Sequence, residues 1–345
     1  MSSVVTAAPL QKTFTRNHKR QRILLWLGLA LVVLFFVSLL WGRYPSVGLI
    51  PWQQLNQDEL ARLLVVNLRL PRLLTALFVG ISLSASGTVF QTLFGNPLVE
   101  PGFLGVSQGA ACGAALCIVF LGGSAAMIQG LAIVFAFSGL GASYFLARRI
   151  RYGGWVLRLV LSGIAVSALF SAGLGVLKYL ADPLRQLPEI TFWLLGGLSS
   201  ITWTQFLSIL PATVAGLVFL ILFRWRLNLL ALNEETAFSM GAAPKRERLL
   251  LLIAAVLPAA AIISVSGMVG WVGLIMPHIG RRLFGSDTRY SLPASMLLGG
   301  IFTILCDDLA RTLLAGEIPL GILTSLLGAT IFIILMVSRG VKVER

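Results

Sequence analysis

The sequence predicts an all-α membrane protein that crosses the bilayer about ten times, and three observations lead to that class. Only 12% of the 345 residues are Asp, Glu, Lys or Arg, whereas a soluble domain carries roughly 25%. Apolar residues make up 57% of the chain, and the mean hydropathy is +0.90. Apolar runs follow one another along nearly the whole length, each comparable to the roughly 20 residues that cross a hydrocarbon core. The alternating pattern of an outer-membrane barrel is absent.

The first run, residues 23–42, follows the basic stretch "QKTFTRNHKRQR". That pairing outlines a signal peptide, but the run is too long and no small-residue cleavage site follows it, so it reads as a first transmembrane helix. Further spans are expected at residues 72–94, 106–122, 126–147, 156–180, 205–224, 247–265, 268–283, 293–312 and 319–337. The eighth is short and Gly-rich and reads as a broken helix shielded by the rest of the protein. "EITFWLLGGLSS", residues 189–200, is too short to cross and reads as a re-entrant or interfacial helix. The organisation is a basic tail (1–22), one transmembrane domain (23–338) and a short second tail (339–345).

Ten crossings put both termini on one side. With the N-terminus in the cytoplasm, 20 of the 27 Lys and Arg residues fall inside, the asymmetry that orients membrane helices. The net charge of +14 is thereby read as loop charge facing the membrane rather than as a nucleic-acid surface. Arg43, Arg62, Arg69, Arg72, Lys178, Arg185 and Arg311 remain outside, against the trend.

Signatures of covalent chemistry are missing. The chain has no GxxxxGK[ST] phosphate loop, HExxH or GxSxG. Its two histidines, His18 and His278, are far apart in sequence, and Cys112, Cys117 and Cys306 sit in apolar runs without CxxC spacing, as buried small hydrophobes do. Carboxylates inside the spans are nearly confined to Asp307 and Asp308, one helical turn before Arg311. They read as a local ion pair near the outer end or as coupling groups. The weakly polar series Ser162, Gly163, Ser167, Ser171 and Gly175 in the fifth span reads as helix packing or as one wall of a solute path.

The segment "NLLALNEETAFSMGAAPKRER", residues 228–248, is too polar for lipid. Asn233 is placed to N-cap a short helix with Glu234 and Glu235 at its positive end, and Gly241 to stop it. Such a helix would display Leu232, Ala237, Phe238 and Met240 to a partner groove, or else lie as an inert interfacial loop.

Taken together, "RLPRLLTALFVG", "FGNPLVEPGFLGVSQGAACGA", "FWLLGGLSS", "LNLLALNEETAFSMG", "VSGMVGWVGLIMPHIGRR", "LPASMLLGG" and "DDLARTLLAGEIPLGILTSLLGATIF" resemble, in order, the FecCD-type permease subunits of bacterial ABC importers for iron–siderophores, haem and cobalamin. The resemblance covers nearly everything after the first helix. It implies the type II ABC importer permease fold and a function in moving an iron chelate, with molybdate, haem or cobalamin as alternatives on the same scaffold. A secondary carrier, which would need ion-coupling groups in mid-membrane, is the competing class. The location implied is the bacterial cytoplasmic membrane.

The resemblance also implies partners. Residues Leu232, Asn233, Glu234, Glu235, Phe238, Met240 and Gly241 fall on the helix that docks on a separate ATPase, within the segment 231–243. ATP and Mg would be bound there, and this chain is expected to bind no cofactor or metal and to catalyse nothing itself. A second permease copy would complete a homodimer with the path between the two. An extracytoplasmic binding protein would dock on Arg69, Arg72 and Arg311, positions otherwise read as snorkelling interfacial anchors. The gate of the cobalamin members matches Val156 and Leu157, apolar here where those members carry small hydroxyls. Gly95 departs from the basic residue that most members place before Asn-Pro-Leu.

Overall fold

The computed structural model describes residues 8–43, 48–51, 57–314 and 316–337, with side chains from residue 18 onward. The second tail, 339–345, and residues 1–7 of the first lie outside the described residues.

Helix α1 (Ala8–Leu40) runs along the rim of the bundle, with only 11% of its most apolar window buried. A two-residue hairpin of β1 (Trp41–Gly42) and β2 (Gly48–Leu49), paired antiparallel, follows it. The second span starts well before the expected residue 72. Helix α2 (Glu59–Leu63) passes through a π-helical turn (Leu64–Arg69) into α3 (Leu70–Phe94) without a break. Pro71 explains the turn's position: proline lacks an N–H and its ring crowds the preceding turn, and a wider turn relieves both.

Helix α3 is the axis of the molecule, with 18 of its 25 residues buried. Its sequence suits that position, because small residues let neighbouring backbones approach. A Cβ on Gly80 would lie 2.1 Å from the carbonyl oxygen of Gly299, and one on Gly87 would lie 1.8 Å from that of Gly273. Some of its buried hydroxyls donate to backbone carbonyls, as Thr75 does to Pro71 (2.7 Å) and Thr88 to Ser84 (2.8 Å).

The chain continues through a 3-10 turn (Pro101–Leu104) into α4 (Val106–Phe120), α5 (Ala125–Arg149), α6 (Trp155–Leu180) and the short α7 (Gln186–Leu195). Helix α8 (Trp203–Leu222) starts with a Thr202/Gln205 capping box. Helices α9 (Arg224–Leu230) and α10 (Glu234–Ser239) lie between it and α11 (Pro244–Ser266). The last three are α12 (Val272–Phe284), α13 (Thr288–Thr312) and α14 (Leu320–Val337).

Among the described residues, eight helical segments are long and apolar enough to cross a membrane, counting α2 to α3 as one. Helices α4 and α12, of 15 and 13 residues, complete the ten expected positions but are too short to cross alone. Helix α12 is the predicted short eighth element. Its last turn carries Arg281 and Arg282, so its first turn starts part-way through the bundle. The predicted re-entrant segment is α7, and its glycine end is fastened inside. Gly196 has φ +66°, and a Cβ there would lie 2.3 Å from the carbonyl oxygen of Met268. Gly197 N–H donates to Ser266 O at 2.8 Å, and Gly321 N–H to Gly196 O at 3.3 Å. The ends of α7 and α11 and the start of α14 therefore meet at one point.

Candidate functional site

That junction borders two adjoining cavities. The larger, about 680 Å³, is lined by Leu194, Leu195, Met268, Trp271, Gly321 and Ser325, among others. The smaller, about 360 Å³, reaches Leu83, Ser107, Gln108, Ile164 and Ser167. Leu83 lies midway along α3, so the cavities sit at half depth in the bundle. Three residues line both: Glu100, Met268 and Gly270.

The sequence does not single out Glu100, because residues 95–105 are the loop left between two expected spans. The structure folds that loop inward, correcting the expectation that Asp307 and Asp308 are the main carboxylates at depth. Glu100 lies against the first turn of α12, where a Cβ on Gly273 would be 3.6 Å from its Oε2. No cation or hydrogen-bond donor among the described residues is paired with its carboxylate. Trp271, beside it in the larger cavity, has φ +70°, the only non-glycine residue with positive φ among those described. Such backbone is strained and is held by its surroundings. Here they include Phe332, whose ring meets the indole edge at 6.1 Å.

The serine series of α6 does not form one stripe. Ser162 is buried, and Gly163 packs on the backbone of Phe103. Ser167 lines the smaller cavity and Ser171 is exposed. Five residues advance a helix by about 500°, which sets Ser162 and Ser167 on different faces. Val156 is half-buried at the start of α6, and Leu157 is 48% exposed.

Arg69, Arg72 and Arg311, expected to face outward, are engaged within the subunit. Arg72 Nε donates to Asp307 Oδ1 at 2.9 Å, and its Nη1 donates to Glu317 at 2.7 Å. Arg311 pairs with Asp308, which also accepts from Ser38, and donates to Ser38 O. Arg69 Nη1 donates to Leu40 O at 3.3 Å. Both local pairings expected with Arg311 are present, that of Asp308 and that of Asp307, whose Oδ2 lies 3.9 Å from Arg311 Nε, and Asp307 in addition reaches across to Arg72 on α3. Arg62 and Arg185 at the same end are exposed.

At the opposite end, α10 forms where the sequence placed it. Asn233 occupies the N-cap position without a side-chain hydrogen bond, so its predicted capping bond is not formed. Gly241 ends the segment at φ +81°. Phe238 and Met240 are 72% and 57% exposed, and Leu232 is exposed as well. Ala237 is buried rather than displayed, because it faces α11 and accepts the N–H of Ala242 at 3.0 Å. Glu234 lies 4.0 Å from Arg248, whose guanidinium stacks over Trp155 at 4.9 Å.

The arrangement offers half-depth cavities, a charged cluster at one end and an apolar knob at the other. Comparisons with known proteins agree with it. The FecCD transport family matches residues 30–338. A Helicobacter pylori protein named "Probable iron chelatin transport system permease protein" is 39% identical over 91% of this chain and 98% of its own length. The Haemophilus influenzae molybdate import system permease protein MolB is 38% identical over 91% and 95%. The Yersinia pestis hemin transport system permease protein HmuU is 37% identical over 91% and 96%. A solved inward-facing conformation of a metal-chelate type ABC transporter superposes with a TM-score of 0.85 at 37% identity, covering 92% of this chain and 99% of that one. With a family match across nine-tenths of its length and relatives of this identity, the chain belongs to the FecCD transport family.

Proposed function

We propose that this protein is the membrane-spanning subunit of an ATP-driven importer that moves an iron chelate across the bacterial cytoplasmic membrane. The observation that carries the reading is the full-length agreement, in sequence and fold, with metal-chelate permeases. In this reading the Arg148/Arg282 end is cytoplasmic, which follows the positive-inside rule and puts both termini inside. Two copies assemble as a homodimer around the path, and the half-depth cavities face it.

The knob of Phe238 and Met240 seats on a separate ATPase, which binds ATP and Mg, while this chain binds no cofactor. Two large exposed apolar side chains on a short polar helix suit insertion into a partner's groove. A binding protein docks at the other end. Because Arg72 and Arg311 hold their own subunit's carboxylates, their part is to shape that surface together with Arg69, and Arg62 and Arg185 meet the acidic partner directly. Such exposed charges steer and register more than they bind. A molybdate permease is the second reading, and the similarity to MolB favours it.

The test is uptake by the reconstituted assembly of permease, ATPase and binding protein. Labelled ferric hydroxamate, hemin and molybdate are offered with ATP, without ATP, and with a protonophore. ATP-dependent, protonophore-resistant uptake of a ferric chelate is expected. Uptake driven by the proton gradient alone would make the protein a secondary carrier, and uptake of molybdate alone would select the second reading.

A further inference from the structure

Arg248 lies in the second turn of α11, toward the positive end of that helix, and is only 8% exposed. Its Nε has no hydrogen-bond partner, and its Nη2 donates to Leu230 O at 3.4 Å. Its carboxylate partner, Glu234, stands 4.0 Å away and half-exposed. A buried charge with so loose a counterion adds little stability, and an apolar side chain of similar length would serve the packing as well. The guanidinium does, however, join several elements. Leu230 ends α9 and Glu234 opens α10. Trp155, whose ring centroid lies 4.9 Å beneath the guanidinium, is the first residue of α6. The same indole meets Phe94, the last residue of α3, at 5.4 Å. Gly153 (φ +77°) and Gly154 precede it, so the indole rather than the loop fixes where α6 begins. Ile164, about 13 Å further along α6, borders the smaller cavity.

We propose that Arg248 and Trp155 form the joint that carries a displacement of α10 to α6, and so to the half-depth cavities. This rests on the importer reading above, in which the knob of Phe238 and Met240 seats on the ATPase. Both are positioning residues, since neither lines either cavity. The two sides of the joint differ in strength. Toward α9 and α10 the contacts are long, 3.4 and 4.0 Å, so a small movement of α10 trades one for the other. Toward α6 a planar guanidinium lies on an indole, a contact that desolvation strengthens. Trp155 therefore follows the guanidinium when α10 moves. Arginine suits both sides, because its edge donates to Leu230 and faces Glu234 while its face stacks; an ammonium has no face to stack.

The experiment reads the cavity without a solute. Ile164→Cys, in a chain with Cys112, Cys117 and Cys306 replaced by alanine, puts one thiol at the edge of the smaller cavity. A water-soluble maleimide then reports its labelling rate in the reconstituted permease–ATPase assembly, with and without ATP. With Arg248 and Trp155 in place, ATP is expected to change that rate about tenfold. Arg248→Met, which loses charge and face, Arg248→Lys, which keeps only the charge, and Trp155→Leu should each bring the change below about twofold. Arg248→Met combined with Trp155→Leu should be no worse than either alone, as for two residues of one link. Trp155→Phe, which keeps an aromatic face, should retain most of the response. A full response in any of the Met, Lys or Leu variants overturns the proposal. Failure of both Arg248 variants to assemble, read by size exclusion, also overturns it, because the arginine is then a folding residue. A reporter that ignores ATP even with Arg248 and Trp155 intact overturns the ATP-driven reading itself, and the joint with it.

Discussion

Arg72 and Asp307 form an ion pair of 2.9 Å between α3 and α13, with side chains 11% and 1% exposed. A second carboxylate, Glu317, reaches the same guanidinium from the loop before α14. Removing one partner of a buried pair costs far more than the pair contributes, because it strands a charge. Arg72→Ala should destabilise the subunit by about 3–5 kcal/mol. The double variant with Asp307→Asn should recover much of that loss. Thermal unfolding in detergent, followed by size exclusion, reads both.

Charge reversal at the end proposed to face outward separates structure from docking. Arg72→Glu would put a third carboxylate beside Asp307 and Glu317, and the subunit should fail to assemble. Arg62→Glu with Arg185→Glu alters only exposed side chains, so assembly should be normal. Association with the binding protein should slow and lose its salt dependence, as expected for steering charges. Surface plasmon resonance at two ionic strengths checks this, and an unchanged on-rate would remove both residues from the interface.

The exposed pair on α10 carries another expectation. Phe238→Ala with Met240→Ala removes side chains that touch little of their own subunit, so stability should change by no more than about 0.5 kcal/mol. Chelate uptake per ATP hydrolysed should fall at least tenfold if the knob transmits the ATPase stroke. Normal stoichiometry would assign α10 to the interface with lipid.

Helix contact through glycine predicts a contrast between two alanines. Gly80→Ala drives a methyl group into the backbone of Gly299, and overpacking of this kind costs about 1–3 kcal/mol. Gly141→Ala meets nothing within 4 Å and should be neutral or slightly stabilising, since alanine is the better helix former. The difference in unfolding temperature between the two is the measurement.

Asp287 supplies a pH dependence outside the spans. Burial alone would raise its carboxyl pKa, but hydrogen bonds from Arg289 and Asn228 and the Arg289 charge outweigh it and hold the carboxyl below its ordinary value of 3.8. The stabilisation is therefore complete above the unfolded value and is lost as pH falls through the lower, folded one. Asp287→Asn should lower thermal stability at neutral pH, with the gap to the native chain closing below about pH 4. A gap that persists at acid pH would assign the effect to the hydrogen bonds that Asp287 accepts from Asn228 and from the Arg289 backbone N–H rather than to charge.

What the sequence determined by itself is what depends on local composition. Hydropathy over a window of helix length places each span, because lipid acts on one segment at a time. The Lys and Arg asymmetry gives the proposed orientation of the segments for the same reason. The α10 segment was readable from its polarity and from Gly241, and the broken eighth span from its glycines. Only the tertiary structure decided what depends on partners distant in the chain. Asp307 pairs with Arg311 one turn away, but its shorter bond is to Arg72, 235 residues away, because the close approach at Gly80 and Gly299 brings α3 against α13. The five-residue spacing puts Ser162 and Ser167 on different faces of α6, and only the packing around that helix shows that Ser167 borders the cavity while Ser162 is buried. Glu100 belongs to a loop between spans, and only the start of α12 beside it places it at the cavities. The depth of a carboxylate in a membrane protein is fixed by the elements packed around it, and no local pattern records them.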